Sequence, residues 1–170
     1  RETPHAPLEI PDDVMPLAGS DGPPTGIDPV GLANRLSGTI QDDRDATYQG
    51  TWQTGHGLKG YVGHGYRYAP AGSNATATFT LKAPAKGSYD VLVSWQSHPN
   101  RGNTVPVSVQ SRKVDSTITL NMKKEPAVHN AFGRAGQVDV EKGDKITVTI
   151  GTDDAGGLAH ADAVLLVPKN

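Results

Sequence analysis

The sequence predicts an all-β protein, a jelly-roll-like antiparallel β-sandwich that follows an extended Pro/Gly-rich N-terminal arm. The first observation is an alternation of apolar and polar residues with a period of two, which runs from Ala75 to Val167. Successive side chains of a strand point to opposite faces of a sheet, so each run has one face for a core and one for water. The second observation is the turn content, because 20 Gly and 13 Pro among 170 residues suit many short strands.

The N-terminal part of the chain differs in composition from the rest. Residues 1–37 are rich in Pro and lack sustained periodicity, which predicts an extended linker or a docking arm before the sandwich of residues 38–170. Asp28 followed by Pro29 is typical of a helix start, so one or two helical turns are expected up to Leu36. A disordered tether and an arm that docks both remain open. A docking arm would contact its own module or a neighbouring one, and could join copies into a homo-oligomer.

The sandwich begins with two aromatic segments, Tyr48–Trp52 and Tyr61–Tyr68, which glycines interrupt. Each of the alternating runs that follow predicts one strand: Ala75–Leu81, Tyr89–Trp95, Val105–Val109, Ile118–Met122, Ile146–Ile150 and Ala161–Val167. Turn sequences such as Lys86-Gly87 separate them. The last run is apolar on both faces, which predicts burial on both sides. The first and last strands are expected to be neighbours.

Composition excludes several classes of function. The chain has 16 basic and 18 acidic residues, a formal net charge of −2, and no basic stripe, so nucleic acid and anionic membranes are not expected partners. It has no cysteine, which excludes disulfides and zinc–thiolate sites. No apolar run approaches the roughly 18 residues that a membrane span requires.

A group of carboxylates near the start of the sandwich is a candidate metal site: Asp42, Asp43 and Asp45. Carboxylates and backbone carbonyls at a bent strand end can supply the oxygen ligands that calcium prefers. Asp162 would join them if the first and last strands are neighbours. The spacing is not that of a helical calcium loop, so the preferred interpretation is a turn whose Asp side chains accept backbone N–H groups. Structural calcium is the alternative.

Asp162 also requires an explanation of its own. It lies between Ala161 and Ala163 in an otherwise apolar strand, and a carboxylate in such a place needs a partner. Arg44, Arg101 or a metal ion could each fill that role.

A second group combines aromatic rings with polar side chains and predicts a ligand-binding surface: Tyr61, His64, Tyr66, Tyr68, His98, Asn100 and Arg101. Sugars have apolar C–H faces that can stack on aromatic rings, and hydroxyl groups that need polar partners. The three tyrosines have glycines near them and are expected on exposed loops. Trp95 shares a face with Val91 and Val93, so core packing is expected for it instead.

No catalytic set is recognisable in the sequence. It has neither a G-x-S-x-G elbow nor a Gly-rich βαβ turn that could bind FAD. The six histidines include no i, i+4 pair, so each is interpreted as an ordinary surface residue rather than a zinc ligand. The chain is therefore predicted to be a binding or structural module and not an enzyme, with no cofactor unless calcium is bound.

The order of several short motifs is similar to that of a known family. In chain order the motifs are Ile40-Gln41-Asp42-Asp43, Tyr48, Gly50, Trp52, Gly87-Ser88-Tyr89-Asp90-Val91, Trp95, Pro99-Asn100-Arg101, Val105-Pro106-Val107 and Ala161-Asp162-Ala163-Val164. Together they resemble the golvesin and xanthan-lyase type carbohydrate-binding-like C-terminal domain, over residues 40–168. The stretch from His129 to Gly136 departs from the pattern of that family.

This resemblance implies a jelly-roll sandwich at the C-terminal end of a larger, extracytoplasmic bacterial protein, such as a polysaccharide lyase. It implies a non-catalytic accessory module that binds polysaccharide or anchors an upstream domain. The alternatives are a structural or assembly domain without a glycan ligand, and the tail of a planctomycete-type FAD-dependent oxidoreductase. Arg101 of the Pro99-Asn100-Arg101 turn is expected either to bind a ligand or to form an ion pair with Asp162 or an acidic residue of the first strand. The ion pair is the preferred interpretation.

Overall fold

The computed structural model describes residues 26–128 and 131–169, in which one short helix, one 3₁₀ turn and twelve strands are found. The helix, α1, spans Pro29–Arg35, and the 3₁₀ turn spans Asp43–Asp45. The strands are β1 (Thr39–Asp42), β2 (Thr47–Gln49), β3 (Gln53–Gly55), β4 (Tyr66–Ala69), β5 (Thr76–Lys82), β6 (Gly87–Ser94), β7 (Val105–Gln110), β8 (Asp115–Leu120), β9 (Phe132–Val140), β10 (Lys145–Gly151), β11 (Ala159–Ala161) and β12 (Ala163–Pro168). Within this described part, no helix has the length and apolar character needed to cross a lipid bilayer.

The strands form three antiparallel sheets, with the orders β1-β12-β6-β9, β2-β5-β10-β7-β8 and β11-β4-β3. The two larger sheets face each other across a shared core, which confirms the predicted all-β jelly-roll sandwich. The first and last strands are neighbours, as the sequence predicts, because Asp42 of β1 lies opposite Ala163 of β12.

The main core consists of the side chains that the alternation directs inward. Phe79 and Val148 come from one large sheet, Val91 and Leu166 come from the other, and all four are fully buried. Trp95, directly after β6, joins them with 4% of its surface exposed, and its indole N–H donates to the backbone carbonyl of Lys124 at 2.9 Å. The predicted core role of Trp95 is confirmed.

A smaller core covers the outer face of the β1-β12-β6-β9 sheet. Leu165 of β12 and Phe132 of β9 are buried there against Leu32 of α1 and against Ile27. A sheet with both faces covered has apolar residues at consecutive positions. This second cover is the reason that β12 is apolar on both faces, as the sequence predicts.

Helix α1 forms where the sequence predicts one or two turns. Asp28 is its N-cap and accepts a hydrogen bond from the backbone N–H of Val30 at 3.2 Å, and Pro29 occupies the first position. Ahead of the helix, the N–H of Ile27 donates to the carbonyl of Tyr61 at 2.9 Å. The C-terminal part of the predicted arm thus packs on the sandwich, and the remainder, residues 1–25, lies outside the described residues.

The last predicted strand is divided in two at Asp162. Before that residue, β11 pairs with β4 in the small sheet, and after it, β12 pairs with β1 and β6 in a large sheet. The chain therefore changes sheets at a buried carboxylate, which the period-two pattern does not reveal.

Strand β9 has no counterpart among the predicted strands because a β-bulge interrupts its alternation. It pairs with β6, and the register shifts where Val91 lies opposite Gly136 and Leu92 lies opposite Arg134. Ala135 is the additional residue. It packs in the main core together with Val138, three positions later. In a regular strand, residues three positions apart would point to opposite faces, and the bulge removes that difference.

The burial of Trp95 generates a stability prediction. We expect Trp95→Ala to reduce the free energy of unfolding by about 3–5 kcal/mol, because it removes a large buried ring and leaves a cavity. Trp52→Ala is the matched control, since Trp52 is only half-buried and should cost much less. Urea denaturation followed by circular dichroism measures both. Similar losses for the two variants would contradict the packing described above.

Candidate functional site

A cleft of about 360 Å³ opens beside the small sheet. Five of the residues predicted to bind a ligand line it: Tyr66, Tyr68, His98, Asn100 and Arg101. The rest of the lining consists of Gly57, Leu58 and Leu158. We call this the tyrosine cleft. The fold thus brings together side chains from two separate segments that the sequence marks independently.

The tyrosines of the cleft come from β4. The hydroxyl of Tyr68 donates to Oε1 of Gln53 on β3 at 3.0 Å, and its ring is half-buried. Tyr66 is 4% exposed and stacks on the imidazole of His160, with 4.4 Å between ring centroids. The prediction that these tyrosines lie on exposed loops is therefore wrong: both belong to a strand, and Tyr66 is buried by the neighbouring strand β11.

Asn100 and Arg101 reach the cleft from the Pro99-Asn100-Arg101 turn, which backbone hydrogen bonds fix to the segment before β11. The N–H of Leu158 donates to the carbonyl of Asn100, and the N–H of Gly102 donates to the carbonyl of Leu158, each at 2.9 Å. A β-carbon at Gly157 would lie 2.6 Å from the carbonyl oxygen of Arg101, so this close approach requires glycine. The turn is consequently held in one position.

Arg101 is buried at the base of the cleft, with 3% of its surface exposed. Its Nε donates to Nδ1 of His160 at 2.9 Å, and its Nη1 donates to Oδ1 of Asn100 at 2.8 Å. The guanidinium carbon lies 5.0 Å from the ring centroid of Tyr68. Burial lowers the pKa of Arg101. The preferred prediction, an ion pair between Arg101 and Asp162 or an acid of the first strand, is wrong, because the guanidinium contacts His160 instead.

His160 is fully buried, so its interpretation as an ordinary surface residue is also wrong. Arginine can only donate, so Nδ1 of His160 accepts and the ring proton resides on Nε2. Nε2 then donates to Oε1 of Gln96 at 2.8 Å. Burial and the adjacent charge of Arg101 hold the pKa of His160 well below its usual value, so the imidazole is neutral.

Gln96 continues this series of hydrogen bonds to a carboxylate. Its Nε2 donates to Oδ2 of Asp162 at 3.0 Å. The same carboxylate accepts the backbone N–H of Val62 at 2.9 Å and the hydroxyl of Ser94 at 3.0 Å. Neutral donors, not an arginine, are thus the partners that buried Asp162 needs. We call the four linked side chains from Arg101 to Asp162 the polar chain.

Two of the predicted ligand-binding residues lie outside the tyrosine cleft. Tyr61 is only 2% exposed, against the prediction of an exposed loop, and its ring centroid is 6.1 Å from that of Tyr66. His64 is exposed and lines a second cleft of about 250 Å³, together with His56 and Arg67.

Three buried carboxylates meet where β1 ends and β12 begins. Asp42, Asp43 and Asp162 each place one oxygen within 4.8 Å of the others, and none is more than 8% exposed. Asp45, also predicted as a calcium ligand, is exposed at the end of the 3₁₀ turn and is not part of this group. We call Asp42, Asp43 and Asp162 the carboxylate cluster.

The electrostatics of the carboxylate cluster are unfavourable for three ionised acids. Burial raises the pKa of Asp42 and raises that of Asp162 well above the usual value, and burial together with the charge of Asp42 raises the pKa of Asp43 to about 8. Nε of Arg67 lies 3.5 Å from Oδ2 of Asp43, and the charge of exposed Arg44 partly opposes the rise in the pKa of Asp42 that burial causes. Oδ1 of Asp42 and Oδ1 of Asp43 are buried yet accept no hydrogen bond.

These unsatisfied oxygens fit a hard divalent cation such as calcium, which binds carboxylate oxygens. The side chain of Asp42 makes no capping hydrogen bond of normal geometry to the 3₁₀ turn. The backbone N–H groups of Arg44 and Asp43 nevertheless lie close enough to oppose the burial-induced rise in its pKa, as the capped-turn interpretation expects. A β-carbon at Gly63 would lie 2.9 Å from Oδ1 of Asp42, and the φ of Gly63 is +73°. The space next to that oxygen therefore depends on glycine.

Sequence reasoning missed Gln96 and His160. Both interrupt apolar stretches: Gln96 follows Trp95 at the end of a strand, and His160 stands two positions before Asp162. The argument that a polar residue in an apolar strand needs a partner marks Asp162. Applied to His160, it would have identified this residue as well.

The architecture and the two sites define the class of protein as an antiparallel β-sandwich domain with an aromatic cleft and a buried acidic cluster. The chain belongs to the Golvesin C-terminal domain family, whose model matches residues 39–168. The resemblance noted in the sequence is confirmed.

The chain spans only a small part of the length of the xanthan lyases that it matches. Xanthan lyase of Bacillus sp. (strain GL1) is 29% identical over 140 residues, which cover 78% of this chain and 15% of the lyase. The structure of Paenibacillus xanthan lyase matches with a TM-score of 0.71 and 28% identity, over 78% of this chain and 13% of that one. A family 35 carbohydrate binding module from Clostridium thermocellum has the same fold, with a TM-score of 0.53, 14% identity, and coverage of 78% and 98%.

Proposed function

We propose that this chain is a non-catalytic accessory domain that binds polysaccharide through the tyrosine cleft. The observation that carries the proposal is the convergence of Tyr66, Tyr68, His98, Asn100 and Arg101 on one open cleft. The ring of Tyr68 is half-buried and therefore offers an apolar surface for a sugar face. Exposed Asn100 and half-buried His98 are positioned to bond sugar hydroxyls.

The relatives support the same function. A xanthan lyase contains this domain as a small part of its length, and the fold is that of a carbohydrate binding module. By this analogy the domain accompanies a larger bacterial enzyme that acts on polysaccharide outside the cytoplasm, and keeps that enzyme at its substrate.

Binding by the cleft is testable with two variants and a control. We expect affinity electrophoresis in gels that contain soluble neutral or acidic polysaccharides to retard the wild-type domain. Tyr68→Ala and Asn100→Ala should weaken the affinity at least about tenfold, which corresponds to ~1.4 kcal/mol. Asn34→Ala, an exposed change on α1, is the control and should migrate as the wild type does.

Two results would reject this function. One is the absence of retardation by every polysaccharide in the panel. The other is full binding by both cleft variants, which would place the glycan elsewhere on the domain.

We further propose that the carboxylate cluster holds a structural calcium ion. Its support is the pair of buried, unsatisfied oxygens on Asp42 and Asp43 and the proximity of a third buried carboxylate, Asp162. A bound dication would favour the ionised form of all three acids, which burial alone disfavours, and would join the end of β1 to the start of β12.

Removal of calcium should therefore destabilise the domain. At a calcium concentration about a hundredfold above Kd, binding contributes about 2.7 kcal/mol of stability, which a chelator would remove. Thermal melts with calcium and with EGTA measure this difference. It should be absent in Asp42→Asn and retained in the control Asp153→Asn, an exposed loop residue. A wild-type melting temperature that is indifferent to chelator would eliminate the calcium site.

A further inference from the structure

Arg101 is a buried positive charge for which the described residues provide no negative partner. Its hydrogen bonds go to the imidazole of His160 and the side-chain amide of Asn100, neither of which carries a negative charge. The ring centroids of Tyr66 and Tyr68 lie 5.6 and 5.0 Å from the guanidinium carbon, and such contacts compensate a buried cation only in part. The ion pairs among the described residues are Arg67–Asp43, Lys86–Glu141, Arg112–Asp144 and Arg134–Asp90, and none involves Arg101. A buried charge is costly unless an opposite charge or several hydrogen bonds compensate for it.

The guanidinium also has N–H groups that remain available to a ligand. The bonds to His160 and Asn100 use one hydrogen on Nε and one on Nη1, and the contact with the Tyr66 hydroxyl uses at most one of the remaining three. Arg101 is part of the lining of the tyrosine cleft, so a ligand in the cleft can reach it. The remaining donors of a guanidinium form a planar fork that matches a carboxylate.

The lining of the cleft provides no anion that would pair with this charge. Its lining has aromatic, amide, imidazole and aliphatic groups but no acidic residue. Asp162 lies at the far end of the polar chain, with two neutral side chains, His160 and Gln96, between it and the guanidinium. The positive charge of Arg101 is therefore available to a ligand in the cleft, because Asp162 does not neutralise it.

We propose that the tyrosine cleft selects glycan residues that carry a carboxylate, such as uronates, and that Arg101 binds that carboxylate. This inference rests on the proposed glycan-binding function and narrows it to acidic sugars. Tyr68 then contacts the apolar face of the ring, while His98 and Asn100 bond its hydroxyls. With a net charge of −2, the chain has no general attraction for polyanions, so the preference must arise locally at Arg101.

The decisive experiment changes the charge of the ligand and leaves the protein intact. Isothermal titration of the wild-type chain compares galacturonate, glucuronate and guluronate oligosaccharides with their carboxyl-reduced, neutral counterparts, at one fixed ionic strength. We expect at least one acidic oligosaccharide to bind roughly tenfold to hundredfold more tightly than its reduced form, the range expected for a charge-assisted hydrogen bond. Arg101→Lys should remove most of that preference, and the control Arg112→Lys, outside the cleft, should retain it.

Each contrary outcome has a distinct meaning. Equal binding of acidic and reduced oligosaccharides, or binding of neutral glycans alone, would overturn the selection of carboxylates while leaving the glycan-binding function in place. Equally tight binding of dextran sulfate would show a response to charge without recognition of a carboxylate, and would also overturn it. No binding of any glycan would remove the proposed function itself. Because the comparison uses the wild-type chain, instability of Arg101→Lys cannot obscure the result.

Discussion

The burial of Asp162 at the point where the chain changes sheets is the constraint on which the rest of the structure depends. A carboxylate cannot stay there without donors, and it receives them from the backbone of Val62, from Ser94 and from Gln96. These donors belong to separate segments of the chain. Satisfying one buried group therefore fixes the segment before β4, the end of β6 and the junction of β11 with β12 relative to one another.

An acid and a base, Asp162 and Arg101, are buried at the two ends of one hydrogen-bonded series. The carboxylate cluster gathers three buried acids whose pKa values burial raises, and Arg101 has a positive charge without a counterion among the described residues. Neutral His160 and Gln96 separate them and prevent direct neutralisation. Each end is thus suited to a ligand of opposite sign, a divalent cation at one and a carboxylate at the other. Both proposed sites follow from this single arrangement.

The sequence predicted the sandwich because its strands alternate cleanly, and it predicted the adjacency of the first and last strands, with Asp162 beside Asp42. It could not predict β9, since the bulge at Ala135 breaks the period of two. The burial of Tyr66 also escaped prediction. Nothing local indicates that β11 lies against β4, and the glycines near these tyrosines favour a loop. The polar chain could not be predicted either, because its hydrogen bonds join residues that lie far apart in the sequence.

The tautomer of His160 is the most direct test of this account, because Arg101 can donate to Nδ1 only if that nitrogen carries no proton. The measurement is the pair of ¹⁵N chemical shifts of the His160 ring at neutral pH, in uniformly labelled protein. The account predicts an unprotonated, hydrogen-bond-accepting Nδ1 and a protonated Nε2. A proton on Nδ1, in either the other neutral tautomer or the imidazolium, would contradict it, because the bond from Arg101 and the continuity of the polar chain would be lost.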